Sequence, residues 1–315
     1  MQAGPGRRRV VVEWPTLALA ALIYGGWAAL TFFHAALPLW LLVPLGAWLL
    51  AWHGSLQHEI IHGHPTRWRR ANTALGFPPL SLWLPYERYR RTHLAHHRDE
   101  RLTDPLDDPE SFYWEKESWQ CLGSPGRALV RLQSTLLGRL ALGPAWCIGR
   151  FLMAEAKLVL AGSGDARRLW LQHGLGVATV LAWLALVCGM SPLLYFFGLV
   201  YPATSLLLLR SFAEHRAAAA PGWRTAVVER AGPFGLLFLF NNLHAAHHAR
   251  PALPWYELPG WYRGNRERVA AANGGLVYRS YAEVARRFLL RPHDTPLHPF
   301  GRAPQPANSG EGSGV

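Results

Sequence analysis

Four apolar stretches, at about residues 15–34, 36–52, 169–190 and 192–212, dominate what this chain can become. Each is long enough, or nearly so, to cross a hydrocarbon core of ~30 Å as a helix rising ~1.5 Å per residue. The second is the shortest and is expected to tilt or to thin the bilayer slightly. The stretches come in pairs. Leu37-Pro38 separates the first two and Ser191-Pro192 the last two, and neither connection is long enough to hold a domain. The expected fold class is therefore all-α: an integral membrane protein with four transmembrane helices in two hairpins and a helical cap on one side. Residues 1–300 are expected to form one domain, followed by a Gly-, Pro- and Ser-rich disordered tail at 301–315.

Arginine placement orients the spans. Arg7 to Arg9 precede the first, Arg67, Arg69 and Arg70 follow the second, Arg167 and Arg168 precede the third, and Arg216 follows the fourth. The two turns on the other side carry no Lys or Arg. The positive-inside rule then puts both termini and both long polar segments in the cytoplasm. Arg7 to Arg9 with the following apolar run resemble a signal peptide, but a second apolar block follows with no polar region between, so the first is read as a retained span. The net charge of +12 flanks apolar spans, which points to anionic headgroups and acidic protein partners and away from nucleic acid. Three further apolar stretches, at 73–84, 128–153 and 233–243, are interrupted by Pro, Arg and Gly, and read as interfacial helices.

Histidine is the unusual residue, with 15 copies gathered unevenly. His58-Glu59-Ile60-Ile61-His62 stands just past the second apolar stretch. His93-Leu94-Ala95-His96-His97 follows in the first polar segment, and His244-Ala245-Ala246-His247-His248 lies in the second. On a helix, residues at i, i+3 and i+4 share a face, so the clusters offer two, three and three imidazoles. Imidazole suits iron, zinc, copper and nickel, and eight such ligands exceed what one four-coordinate zinc can use. All three clusters fall on the same side of the membrane, so they can converge around two ions.

The pattern HxxxH, HxxHH, HxxHH, with a transmembrane hairpin between the second and third boxes, resembles the membrane fatty acid desaturases and related hydroxylases. Residues 244–259, HAAHHARPALPWYELP, also look like that family, whose members often place Pro-Trp-Tyr after the last box. The resemblance implies a di-iron centre using O2 as co-substrate to desaturate a lipid acyl chain, with hydroxylation of a lipid or carotenoid as the alternative. It also implies a ninth ligand near the end of the fourth span, where His215 fits. The expected metal ligands are thus His58, His62, His93, His96, His97, His215, His244, His247 and His248. Ser211 stands where acyl-CoA desaturases carry an Asn that holds a water on one metal, so that contact is not carried over.

The first box also reads HExxH, the motif of zinc metalloproteases in which Glu59 would be the general base. That rival needs one zinc and has no use for two HxxHH boxes. A metal transporter would place polar ligands inside the spans, and these spans hold almost none. Cys121, Cys147 and Cys188 show no cluster spacing, and no Gly-rich dinucleotide fingerprint or fused haem domain is present. Electrons are therefore expected from a ferredoxin, rubredoxin or cytochrome-type partner docking on the Arg-rich face.

Several residues carry blander readings. His53 and His64 lie off the face of the first box, and His34, His173, His293 and His298 look incidental. Asp104, Asp107, Asp108 and Glu110 read as a solvated loop turned by Pro105 and Pro109, rather than as groups orienting imidazoles. Asn241 and Asn242 are marginal candidates for orienting groups. Trp83, Tyr86 and Trp255 read as an interfacial belt rather than tunnel lining.

Overall fold

The computed structural model describes residues 12–97 and 102–300. Arg7 to Arg9 and the tail at 301–315 lie outside the described residues. The chain is mostly helical, and five helices are long and apolar enough to cross a membrane. Helix α1 (Trp14–Phe32) and α2 (Leu39–Ile61) form the first pair. Helix α8 (Gly164–Ala182) runs on through a π-helical turn, Trp183–Val187. It is followed by a rod made of α9 (Pro192–Leu194), a π-helical stretch Tyr195–Val200, and α10 (Tyr201–Glu214). These helices turn large apolar side chains outward, among them Trp40, Leu171, Leu186 and Phe197, each more than 60 % exposed. Exposed apolar surface on that scale is what a lipid environment accepts and water does not.

Small residues set the central packing. A Cβ on Gly46 would lie 2.2 Å from Cγ of Leu199, and one on Gly54 would lie 2.8 Å from Cδ1 of Leu207. Only glycine lets α2 and the rod approach this closely.

Three expectations change. Helix α2 does not stop near residue 52 but continues to Ile61, giving 23 residues, so it has no deficit of length to correct by tilting. The apolar periodicity ends early, but the helix does not, because Gln57, His58 and Glu59 are buried against the rest of the protein.

The interfacial stretch expected at 128–153 is instead α6 (Ser124–Gln133) and a continuous 25-residue helix α7 (Leu136–Leu160), which contains Pro144. The elbow between them needs Gly138, since a Cβ there would sit 1.9 Å from the Leu132 carbonyl oxygen, and Thr135 Oγ1 caps α7 by accepting from Gly138 N at 3.0 Å. Near its start Arg139 stacks on Phe112, with Phe212 close by. Near its end Glu155 accepts from Arg88 Nη2 and from Trp170 Nε1, both at 2.9 Å.

The fold is also not purely helical. Strands β1 (Val227–Arg230) and β2 (Val277–Ser280) pair in parallel, Val227 opposite Val277. Short β-branched runs next to tight turns gave no alternation long enough to read as strands. Between them lie α11 (Pro233–Leu237), α12 (His244–Ala249) and α13 (Leu258–Ala272). The sheet therefore brackets the third histidine box. Val228 N donates to the Asn242 carbonyl at 2.8 Å and Ala245 N to that of Ala226 at 3.0 Å, which fixes the start of α12 against β1, and Ala226 N donates to the Glu214 carbonyl at the end of α10 at 2.8 Å.

Candidate metal centre

Each box sits at the end of a helix. His58 lies in the last turn of α2 and His62 caps it. Helix α4 (Tyr86–His96) carries His93 and His96 and is capped by His97. His215 caps α10, and α12 carries His244, His247 and His248.

The nine expected histidines come together in two groups whose ligand nitrogens lie within 4.8 Å of one another. The first holds His58, His62, His93, His97 and His247, and the second His96, His215, His244 and His248. The i and i+4 members of each HxxHH box stay in one group, whereas the i+3 member crosses to the other. His96 thus joins the group of the third box, and His247 joins the group of the first two. A rotation of about 100° per residue turns the i+3 imidazole away from its own pair.

Outer groups fix the tautomers. Nδ1 of His93 donates to Glu110 at 3.0 Å, that of His96 to Asp108 at 2.8 Å, that of His244 to Asn241 Oδ1 at 3.1 Å, and that of His215 to the Arg224 carbonyl at 3.2 Å. A neutral imidazole has one N–H, so Nε2 of His93, His215 and His244 presents a bare lone pair. Yet Nε2 of His215 lies 2.9 Å from that of His244. Facing lone pairs repel at that distance unless a cation lies between them. In the first group Nε2 of His93 lies 3.0 Å from both His62 and His97. Ligands about 2.1 Å from an ion are about 3.0 Å apart at right angles and about 3.4 Å apart in a tetrahedron. The donor set fits two ions, with spacing nearer the right-angle arrangement.

Electrostatics favour the ligating form. Burial, reinforced by neighbouring histidines, holds His62, His215, His244, His247 and His248 well below the usual imidazole range, and brings His97 down to about 3. Neutral imidazole is the form that binds metal. His96 is the exception: burial alone would lower it, but Glu110 and Asp108 prevail and raise it to about 9.

The reading of the acidic loop as solvated is overturned for Asp104 and Asp108, which are buried, and for Glu110, which bonds a histidine of the centre. Asp108 is 5 % exposed and bridges His96 Nδ1 and Thr103 N, while Glu110 holds His93. Asp104 instead closes its own turn by accepting from Leu106 N and Asp107 N. Asn241 orients His244 and lies 3.4 Å from His58 Nε2. Glu214, passed over in the sequence, lies 3.3 Å from His244 Nδ1 and pairs with Arg210 at 3.0 Å. The i, i+4 spacing of Arg210 and Glu214 was the available signal. Asn242 serves the sheet, donating to the Val228 carbonyl at 2.7 Å.

Glu59 points away from the histidine groups. Its carboxylate accepts from Trp255 N at 2.8 Å and lies 3.7 Å from His64 Nε2, and His64 Nδ1 in turn meets Glu13 at 2.6 Å. His53 is buried against Tyr24, its Nε2 3.2 Å from the hydroxyl, and His173 meets the Leu82 carbonyl. A cavity of about 520 Å³ reaches from Glu110, Glu214 and His215 back to Leu50 and Gly54 on α2 and Val200 at the rod. Val200 to Glu214 spans about 21 Å of helix axis. Trp83, expected in an interfacial belt, lines this cavity edge-on to Phe151, whereas Trp255 stacks on Phe240.

The family model described as fatty acid desaturase matches residues 33–282, which include all nine histidines. No curated protein matches the chain.

Proposed function

Because this chain belongs to the fatty acid desaturase family, an oxidoreductase family, we propose that its nine convergent histidines hold two iron ions and that it desaturates a lipid acyl chain with O2 as co-substrate. The observation that carries this is the pair of histidine groups, with the bare Nε2 atoms of His215 and His244 2.9 Å apart. Bound iron would supply the oxidising power needed to take hydrogen from an unactivated carbon. The protein's own groups do the rest. Asp108, Glu110 and Asn241 hold the imidazole tautomers, and the cavity between α2 and α10 keeps an alkyl chain dry beside His215.

The same reading has four spans, α1, α2, α8 and the Pro192–Glu214 rod. His62 ends α2 and His215 ends α10, and both belong to one centre, so an even number of crossings must separate them. This reading leaves α7 on the histidine side; its contacts with Phe212 near its start and Arg88 near its end support that placement. Residues 1–300 then act as one domain, with the termini and the centre on the cytoplasmic side by arginine placement. Electrons come from an external ferredoxin, rubredoxin or cytochrome-type donor.

The orientation of Glu59 counts against a zinc protease, whose general base must face the metal-bound water. Elemental mass spectrometry of protein purified after iron-replete growth tests the proposal. About two irons per chain with little zinc supports it, and lipid analysis of expressing cells then separates a new double bond from a new hydroxyl. One zinc and no iron overturns it.

A further inference from the structure

Arg139 is a buried cation without an anion. It is 6 % exposed and lines the cavity that reaches His215. Its Nε donates to the Gln133 carbonyl at 3.0 Å, but Nη1 is buried and makes no hydrogen bond. Among the described residues no carboxylate lies within ion-pair distance of it. Beside it Gln133, 4 % exposed, leaves both Oε1 and Nε2 buried and unpartnered. The two side chains are neighbours: a Cβ placed on Gly143 would lie 3.2 Å from Arg139 Cδ and 3.6 Å from Gln133 Oε1.

Native proteins seldom bury a charge or a polar amide without partners, because each group gives up its hydration for nothing. Here three such atoms occur together. The guanidinium carbon sits over Phe112, 3.7 Å from the ring centroid, so the ring covers that side and the N–H groups turned from it are the ones able to meet a ligand. Arg150, eleven residues further along α7, also lines the cavity; it is exposed, stacked near Trp114 and Trp146, and likewise has no carboxylate partner. One cation stands at the rim and one lies inside.

Resting on the acyl-chain reading above, we propose that Arg139, with Gln133 packed behind it, forms an oxyanion seat at the wall of the cavity, and that the substrate is an alkyl chain carrying its own anionic end, a carboxylate or a phosphate. An oxyanion oxygen accepts from the Arg139 guanidinium, satisfying a donor that the protein leaves bare, with Gln133 buried behind it, while the chain occupies the apolar stretch between α2 and α10. Arg150 attracts the same head at the entrance. Charge-assisted hydrogen bonds are the strong ones, so the anionic end contributes to affinity as well as to register along the chain.

The test is equilibrium binding to full-length, iron-loaded protein in mild detergent. Quenching of tryptophan emission by brominated chains reports occupancy, since Trp83 and Trp146 line the cavity. The probes are a long-chain carboxylate, the alkyl phosphate and the primary alcohol of the same length. At least one anionic probe should bind roughly tenfold or more tighter than the alcohol. That preference should vanish in Arg139→Gln, return partly in Arg139→Lys, and weaken in Gln133→Leu, with iron content unchanged in each. Which anion is preferred identifies the head as carboxylate or phosphate. Equal binding of all three probes, or a preference that survives Arg139→Gln, overturns the seat. If Arg139→Gln loses its iron, the Gln133→Leu comparison decides. A protein that binds the anionic chain but turns over no lipid would sink the desaturase reading and leave the seat standing.

Discussion

The imidazoles of His97 and His248 lie face to face, their centroids 4.2 Å apart and their planes 17° from parallel, although they belong to different groups. This stack joins the two groups. Beyond it, His96 and His247 each leave the pair of their own box to complete the other group. Neither group can therefore be assembled from one box.

Replacing either crossing residue should show this. His96→Ala and His247→Ala should each abolish or strongly reduce turnover and remove about one iron per chain, leaving membrane insertion intact. His34→Ala, whose ring meets only the Thr31 carbonyl in its own turn, is the control. Full activity in either crossing variant would refute the ligand assignment.

Asp108 should matter nearly as much as a ligand. Its carboxylate holds His96 Nδ1 at 2.8 Å and anchors the loop through Thr103 N. Asp108→Ala should lower iron affinity or activity by about 10- to 100-fold, and Asp108→Asn by less. Iron titration of metal-depleted protein measures the first effect. An unchanged affinity in Asp108→Ala would reduce the residue to a support of its own loop.

Glu59 separates the rival chemistries. In a zinc hydrolase, loss of the general base costs about 10²- to 10⁴-fold. Here Gln at 59 can still accept from Trp255 N, so Glu59→Gln should keep its iron and most of its turnover. Iron content and product yield in the same preparation check this.

Close packing of α2 against the rod is testable without chemistry. Gly46→Ala places a methyl 2.2 Å from Leu199 Cγ and should destabilise the protein by about 1–3 kcal/mol. Adding Leu199→Ala should recover part of that loss, an interaction that a double-mutant cycle in thermal unfolding would expose. Strict additivity would mean the two positions do not touch.

Docking of an electron donor on the arginine-rich face predicts that its rate of reduction falls with added salt, as the screening length shrinks from ~10 Å at 0.1 M to ~3 Å at 1 M. A rate independent of salt would remove that docking surface.

Much of this protein was legible in its sequence, because the strongest signals are local. A bilayer demands an apolar helix of fixed length, so four of the five helices able to cross one announced themselves, and i, i+4 spacing put paired imidazoles on one face wherever a helix formed. Those rules do not reach across the chain. That Asp108 and Glu110 serve His96 and His93, that Glu59 turns away from the centre, and that His96 and His247 exchange groups all depend on where α4, α10 and α12 meet. Helix α7 hid for a related reason: its Pro, Gly and charged residues weaken the apolar signal, and tertiary contacts at Arg139 and Glu155 hold it as one helix. The amino-acid order determined which residues are able to bind metal and most of the segments apolar enough to meet lipid. Burial and convergence, which only the packed chain supplies, decided which of those groups act together.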